Sequence, residues 1–425
     1  MNKIVIEGNG PLKGEVKISG AKNAALPMFA ATLLAPGASI LENVPDLMDT
    51  RTIAKLVEVL GARIEKTDDS TYAIDCSDIK NHEAPYSLVK TMRASCLVLG
   101  PLLARLGHAK VSLPGGCAIG ERPIDQHLKG LSALGATIDL SHGYVDIHAS
   151  SRLKGARITM DIITVTGVMN IMMAAVLADG ETVIENAARE PEVIALADFL
   201  RAMGANIKGD GTATITIEGV TSLSPARTAI IPDRIEAGTF MVAAAITGGD
   251  VTITNANPKH MSALSGKLKE AGCEISTDDF KIRVLAKNGI EAVNVTTAPY
   301  PGFPTDMQAQ FMALMSVANG ASVVEETIFE NRFMHVAELK RMGADIKLSG
   351  NSAMIKGIKK LSGAEVMATD LRASASLVLA GLSAEGRTVI SRVYHLDRGY
   401  ELMEKKLEKL GGIIRREPGG GSKKP

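Results

Sequence analysis

Tryptophan is absent from this chain, and aromatic residues of any kind make up only 3% of its 425 residues. A core must therefore be assembled from Ala, Leu, Ile, Val and Met. An excess of one charge is absent too: Lys+Arg and Asp+Glu are both 47. That balance argues against nucleic acid or a membrane surface as partner, so any anion site has to be a local cluster. No uncharged apolar stretch approaches the roughly 20 residues of a membrane-spanning helix. The opening MNKIVIEGNG lacks the apolar run of a signal peptide, so a cytoplasmic location is expected. Only four cysteines occur, Cys76, Cys96, Cys117 and Cys273, and none forms a CxxC pair, so reduced thiols are expected. HExxH, Cys/His clusters and a Walker A motif are all missing, and the third glycine of GNGPLKG misses the dinucleotide spacing. Neither a metal nor a cofactor is expected.

What the chain does have is a repeat. The segments VLGARI, ALGATI, AMGANI, EAGCEI, RMGADI and KLGGII place Gly61, Gly135, Gly204, Gly272, Gly343 and Gly411 at a period of about 70 residues. Each glycine follows a helical pattern, where a left-handed residue caps the last carbonyls. An alternating run then starts a strand. Upstream of each glycine lies a second junction: APGASILENV, RLGHAKVSLPG, ADGETVIENA, TGGDVTITNA, ANGASVVEET and AEGRTVISRV. Each unit thus reads helix, strand, helix, strand, six times over. The first helix of each pair, as in NIMMAAVLA and TFMVAAAIT, is apolar nearly all round and must be buried. Strands such as TATITIEG alternate, so their sheets have one wet face. The pattern predicts an α/β fold with helices buried and sheets outside; one ring of six units or two groups of three both fit it.

Several residues stand out chemically. Between Gly107 and Gly135 the unit is longer than its counterparts and carries Leu113–Pro123, LPGGCAIGERP. Glycines around Cys117 predict an exposed thiol, with Arg122 favouring and Glu121 opposing thiolate formation. Cys76, Cys96 and Cys273 read as core. Basic residues fall at predicted helix starts: Lys22 in SGAKN, Arg93 in TMRAS and Arg372 in TDLRAS. A cation there opposes the helix dipole, unless an anionic ligand joins amides, dipole and cation in one site. Three such positions predict a phosphate or carboxylate site. Asp306 lies in PYPGFPTDMQ, where Thr305 to Gln308 matches a capping box and gives the acid a purely local explanation. The alternative is a rigidly held carboxylate accepting a proton from a hydroxyl. NRFMH and HLDRG add Arg332 and Arg398, and Glu190 and Glu192 around Pro191 read as a helix start.

The segments GEVKISGAKNAALP, LVKTMRAS, LPGGCAIGERPIDQH, ENAAREPE, PGFPTDMQAQF, FENRFMHVAEL, MATDLRASASLVLAG and HLDRGYE are similar, in this order, to the UDP-N-acetylglucosamine 1-carboxyvinyltransferase family of enolpyruvyl transferases. The resemblance runs from about residue 3 to about residue 415. It implies two inside-out α/β barrel domains of three units each: 1–21 with 232–415, and 22–231 carrying the Cys117 loop, followed by a flexible tail at 416–425. It implies small-molecule substrates bound in an interdomain cleft under the cysteine loop, with no metal.

By motif, Cys117 would protonate the methylene carbon of phosphoenolpyruvate, and Asp306 would take the proton of the sugar 3-hydroxyl. Lys22, Arg122 and Arg398 would hold the phosphate and carboxylate. Asn23, Arg93, Asp306 and Ile328 would line the nucleotide-sugar site. Arg122, Pro123, Ile124, Asp125 and Gln126 would meet the uridine. Arg332, Asp370 and Arg372 would complete the cationic wall. The chain departs from the family at Ile162, where some members have Lys, and at Thr164–Asn170, whose backbone amides, Gly167 included, would face the diphosphate. Two rivals remain: the sister transferase acting on shikimate 3-phosphate, which lacks the PGGC loop, and a repeat scaffold without catalysis.

Overall fold

The structure, a computed structural model, describes residues 2–90, 92–113 and 124–418, with Arg93 described by its backbone alone. Cys117, Arg122 and Pro123 lie outside the described residues. The chain forms two compact units. One comprises residues 2–19 and 232–418, the other residues 20–113 and 124–231. Gly20 and Ala21 thus belong with the second unit, not the first: the Ala21 amide donates to the Ile231 carbonyl at 2.7 Å, within that unit. Arg416 and Glu417, expected in the flexible tail, belong to a strand instead. Ile413–Glu417 is a strand, paired with Lys3–Glu7 along its length.

Six four-stranded sheets occur among the described residues, three in each unit, all with one plan. In the sheet built on Glu181–Glu185, a short edge strand, Arg157–Thr159, pairs parallel to it. Thr214–Glu218 lies antiparallel on its other side, and Asn206–Lys208 antiparallel beyond that. The first strands of the chain complete sheets made mostly by late residues. Lys3–Glu7 sits between Arg387–Ser391 and Ile413–Glu417, and Lys13–Lys17 pairs parallel to Asp250–Thr254. Arg227–Ala229 closes the other unit by pairing parallel to Ala38–Glu42.

Each unit buries three helical segments at its centre. In the first these are Arg234–Thr247, Gln308–Met315 and Leu371–Ser383, packed against one another. In the second they are Lys22–Ala31, Leu99–Leu106 with the 3-10 turn Arg93–Val98 before it, and Val165–Ala175. Their all-round apolar sequences leave no face for water, and each unit has its own core. The second helix of every repeat ends at a repeat glycine with positive φ and turns into the next strand.

Candidate active site

Asp306 sits in a 3-10 turn, Thr305–Met307, that feeds the buried helix Gln308–Met315. The capping-box reading of this segment is incorrect. No side chain caps the turn, and the Thr305 hydroxyl is committed elsewhere: it donates to Glu326 Oε2 at 2.7 Å and accepts from Arg332 Nη1 at 2.7 Å. Asp306 is gripped from both sides instead. Arg332 Nη2 donates to its Oδ1 at 2.6 Å and Arg372 Nη2 to its Oδ2 at 2.7 Å. Both arginines are 5% exposed, whereas 26% of the Asp306 side chain remains accessible. Burial works against ionisation, but the Arg372 and Arg332 guanidiniums outweigh it and hold the carboxyl well below the usual range. Asp306 is therefore an anion at every physiological pH.

The support for this pair extends outward. Glu326 accepts from the Ile328 amide at 2.8 Å, the Phe329 amide at 3.2 Å and the Thr297 hydroxyl at 2.9 Å, which fixes the loop carrying Ile328. Ile328 itself is exposed. Asp370 is an N-cap, its Oδ1 accepting the Arg372 and Ala373 amides at 2.9 and 3.0 Å. The cation at this helix start is thus balanced by Asp306 and the dipole by Asp370. Arg398 ends the 3-10 turn Val393–Arg398 and is half-buried. Burial and then the Arg398 charge push His395 down. Behind Arg372 lies Tyr400, its hydroxyl 2.8 Å from Thr239 Oγ1, 3.2 Å from Gln310 Nε2 and 3.3 Å from Arg372 Nη1.

The remaining candidates lie in the other unit. Lys22 opens the helix Lys22–Ala31, with Nζ 3.4 Å from Asp49 Oδ2 and Asn23 half-buried beside it. Ile124 precedes the helix Asp125–Ala133. Gln126 is buried and its amide is used internally: Nε2 donates to Asp125 and Asp161, each at 3.0 Å, and Oε1 accepts the Asp161 amide at 2.9 Å. Thr164 caps the helix Val165–Ala175 and takes the Gly167 amide at 3.3 Å, so that amide is not free to meet a diphosphate as expected. Met169 is core, and Ile162 is exposed. Arg93 begins a 3-10 turn, not an α-helix. No metal-binding cluster occurs among the described residues. Cys76, Cys96 and Cys273 are buried, and burial pushes the Cys76 and Cys273 thiols up to about 11.

Sequence reasoning missed Tyr400, Thr239, Gln310, Glu326 and Asp49. A signal existed for two of them: Thr239 and Gln310 are polar residues in buried helices, and such groups need buried partners.

A family model, EPSP synthase (3-phosphoshikimate 1-carboxyvinyltransferase), matches residues 6–407. Relatives named UDP-N-acetylglucosamine 1-carboxyvinyltransferase match along nearly the whole length. That of Trichlorobacter lovleyi is 62% identical over 416 residues, covering 98% of this chain and 99% of its own. That of Myxococcus xanthus is 61% identical over 420 residues, covering 98% and 100%. Among solved structures, the enolpyruvyl transferase NikO from Streptomyces tendae is similar with a TM-score of 0.88 at 26% identity, over 98% of each chain. EPSP synthase from Acinetobacter baumannii shares the fold, with a TM-score of 0.77 at 20% identity over 98% of this chain and 100% of that one. On this likeness the chain belongs to the enolpyruvyl transferase family, among its UDP-N-acetylglucosamine 1-carboxyvinyltransferases.

Proposed function

We infer that the chain transfers the enolpyruvyl group of phosphoenolpyruvate to the 3-hydroxyl of UDP-N-acetylglucosamine, the first committed reaction of peptidoglycan synthesis. The observation that carries this is 62% identity, over nearly both full lengths, to a relative of that name. In the addition, the sugar oxygen bonds to C2 of phosphoenolpyruvate, the hydroxyl proton leaves and C3 gains a proton. In the elimination, the C2–O bond to phosphate breaks and C3 gives up a proton, leaving an enol ether and inorganic phosphate.

Asp306 is the proposed acceptor of the hydroxyl proton. Held by two arginines it is a weak base, so transfer to it accompanies C–O bond formation, when the hydroxyl has become acidic. Its accessible portion leaves room for that hydroxyl. Cys117 is the proposed donor to C3. Lys22, Arg122 and Arg398 would hold the phosphate and carboxylate, where fixed cations stabilise charge as it shifts. Asn23, Arg93, Ile328 and the segment 122–126 would receive the nucleotide sugar, the buried Gln126 through its main chain. A reaction needing a free thiol suits a reducing compartment, and the cytoplasm is the proposed location. No helix of the described residues is long and apolar enough to cross a membrane.

The test is phosphate release from phosphoenolpyruvate with UDP-N-acetylglucosamine, and separately with shikimate 3-phosphate. Turnover is expected with the first acceptor alone. Release only with shikimate 3-phosphate would assign the chain to the sister reaction, and release with neither would leave the scaffold reading.

A further inference from the structure

Tyr400, Thr239 and Gln310 have no role in the chemistry above, yet they form a buried polar knot directly behind it. We propose that Tyr400 is a positioning residue whose phenol, set among Thr239, Gln310 and Arg372, fixes the orientation in which the Arg372 guanidinium holds the Asp306 carboxylate. This rests on the reading of Asp306 as proton acceptor.

One arrangement uses the hydrogens of this knot fully. With the Thr239 proton on the Ile235 carbonyl at 2.8 Å, its oxygen accepts from the phenol 2.8 Å away and lies 3.2 Å from Gln310 Nε2. Arg372 Nη1 and Gln310 Nε2 carry only donors and lie 3.3 and 3.2 Å from the phenol oxygen, which can accept from both. Tyr400 thus donates once and accepts twice, the full capacity of a phenol. Gln310 also donates to the Asp306 carbonyl at 3.0 Å. Tyr400 therefore reaches Asp306 by two routes: through Arg372 to the carboxylate, and through Gln310 to the main chain. Its ring adds a third hold, lying 5.7 Å from the Arg372 guanidinium carbon. The partners come from all three central helices of the unit, Thr239 from Arg234–Thr247, Gln310 from Gln308–Met315 and Arg372 from Leu371–Ser383. At 2% exposure the phenol has no water to replace a lost partner.

A tyrosine that merely fills the core predicts that Tyr400→Phe, which keeps the ring, changes melting temperature and nothing else. The positioning role predicts that kcat falls roughly tenfold to a hundredfold while KM for both substrates changes little, because a guanidinium displaced by a fraction of an ångström still binds but misplaces the base. Thr239→Val, which removes the acceptor of the phenol proton, should lower kcat in the same sense by a smaller factor. In an Arg372→Lys background Tyr400→Phe should lose most of its effect, since the group it acts through is gone. The crystal structure of Tyr400→Phe should show Arg372 Nη2 withdrawn from its 2.7 Å contact with Asp306 Oδ2. A kcat equal to the parent's, or a loss undiminished in the Arg372→Lys background, overturns the proposal. If the parent chain itself releases no phosphate, the functional reading falls instead. The positioning claim then stands or falls on whether the guanidinium moves in that crystal structure.

Discussion

Asp306 shows how one residue's neighbours decide between structural and chemical roles. Two guanidiniums, each nearly inaccessible, share the carboxylate of a side chain that is itself partly accessible. Asp306→Asn keeps the shape but removes the proton acceptor, and its amide nitrogen can no longer accept from one of the two arginines. The rate of phosphate release is expected to fall about a hundredfold to ten-thousandfold, with UDP-N-acetylglucosamine binding, followed by calorimetry, retained. A rate equal to the parent's would reduce Asp306 to a counterion for Arg332 and Arg372. Motif and resemblance singled out Asp306, Arg332 and Arg372, because their segments are distinctive. That the three touch was not legible, because ion pairs between positions 26 and 66 residues apart are made by tertiary packing. The local capping-box pattern even pointed the other way.

At the scale of elements, the glycines at corresponding places in the units are of two physical kinds: the repeat glycines that end helices, and others that follow a strand. Gly204 ends a helix at φ +107, and a Cβ there would meet no atom within 4 Å. Gly357 follows the strand Ser352–Lys356 with no positive φ, but a Cβ would lie 1.7 Å from the Ala318 carbonyl oxygen. Gly8 and Gly219 repeat that approach against Ala384 and Ala178, each at 1.9 Å. The second kind lets strand and central helix close to backbone contact, and its amide bonds back to the neighbouring turn, Gly357 to Gly320 at 2.9 Å. Gly204→Ala should cost about 1 to 2 kcal/mol, the strain of a left-handed conformation. Gly357→Ala should cost more than about 3 kcal/mol, since the backbone itself must move. Urea unfolding of the two variants decides it, and the reverse order would refute the distinction. The capping glycines were legible because a helix end is a local event. The contact glycines were not, because their partners lie in another strand-helix junction.

For the molecule as a whole, acid stability reflects polar groups buried with the helices. His127 lies in the second unit, where Asn170 Nδ2 donates to its Nδ1 at 2.9 Å and its Nε2 faces the Thr166 hydroxyl at 3.2 Å. Nδ1 must therefore be the bare nitrogen and the ring neutral. Burial pushes His127 down to about 4, and in the first unit burial likewise pushes His335 down to about 4. Unfolding frees both rings to bind protons near the ordinary histidine value. Stability should then be greatest above about pH 6.5 and fall as pH drops toward 4, with His127 contributing at most about 3 kcal/mol. Below that window this contribution is fully lost, and carboxylates such as Asp306, whose folded values are depressed, take over the decline. Urea unfolding at pH 7.5, 6 and 5 should show the slope, and His127→Gln should flatten it. An unchanged slope in that variant would mean the imidazole is not the group responsible.

The sequence by itself determined the periodic part of this protein: six units, helices buried because they have no polar face, sheets wet on one side, and a set of distinctive segments that mark the family. These follow from patterns within a few turns of chain, which local physics reads directly. Tertiary structure alone decided which strands complete which sheet, Lys3–Glu7 being sealed between strands nearly 400 residues later, and which charges meet. It also converted a threonine, a glutamine and a tyrosine of ordinary appearance into one knot behind Arg372. Such contacts depend on distance through space, and side-chain hydrogen bonds leave no period in the sequence by which to find them.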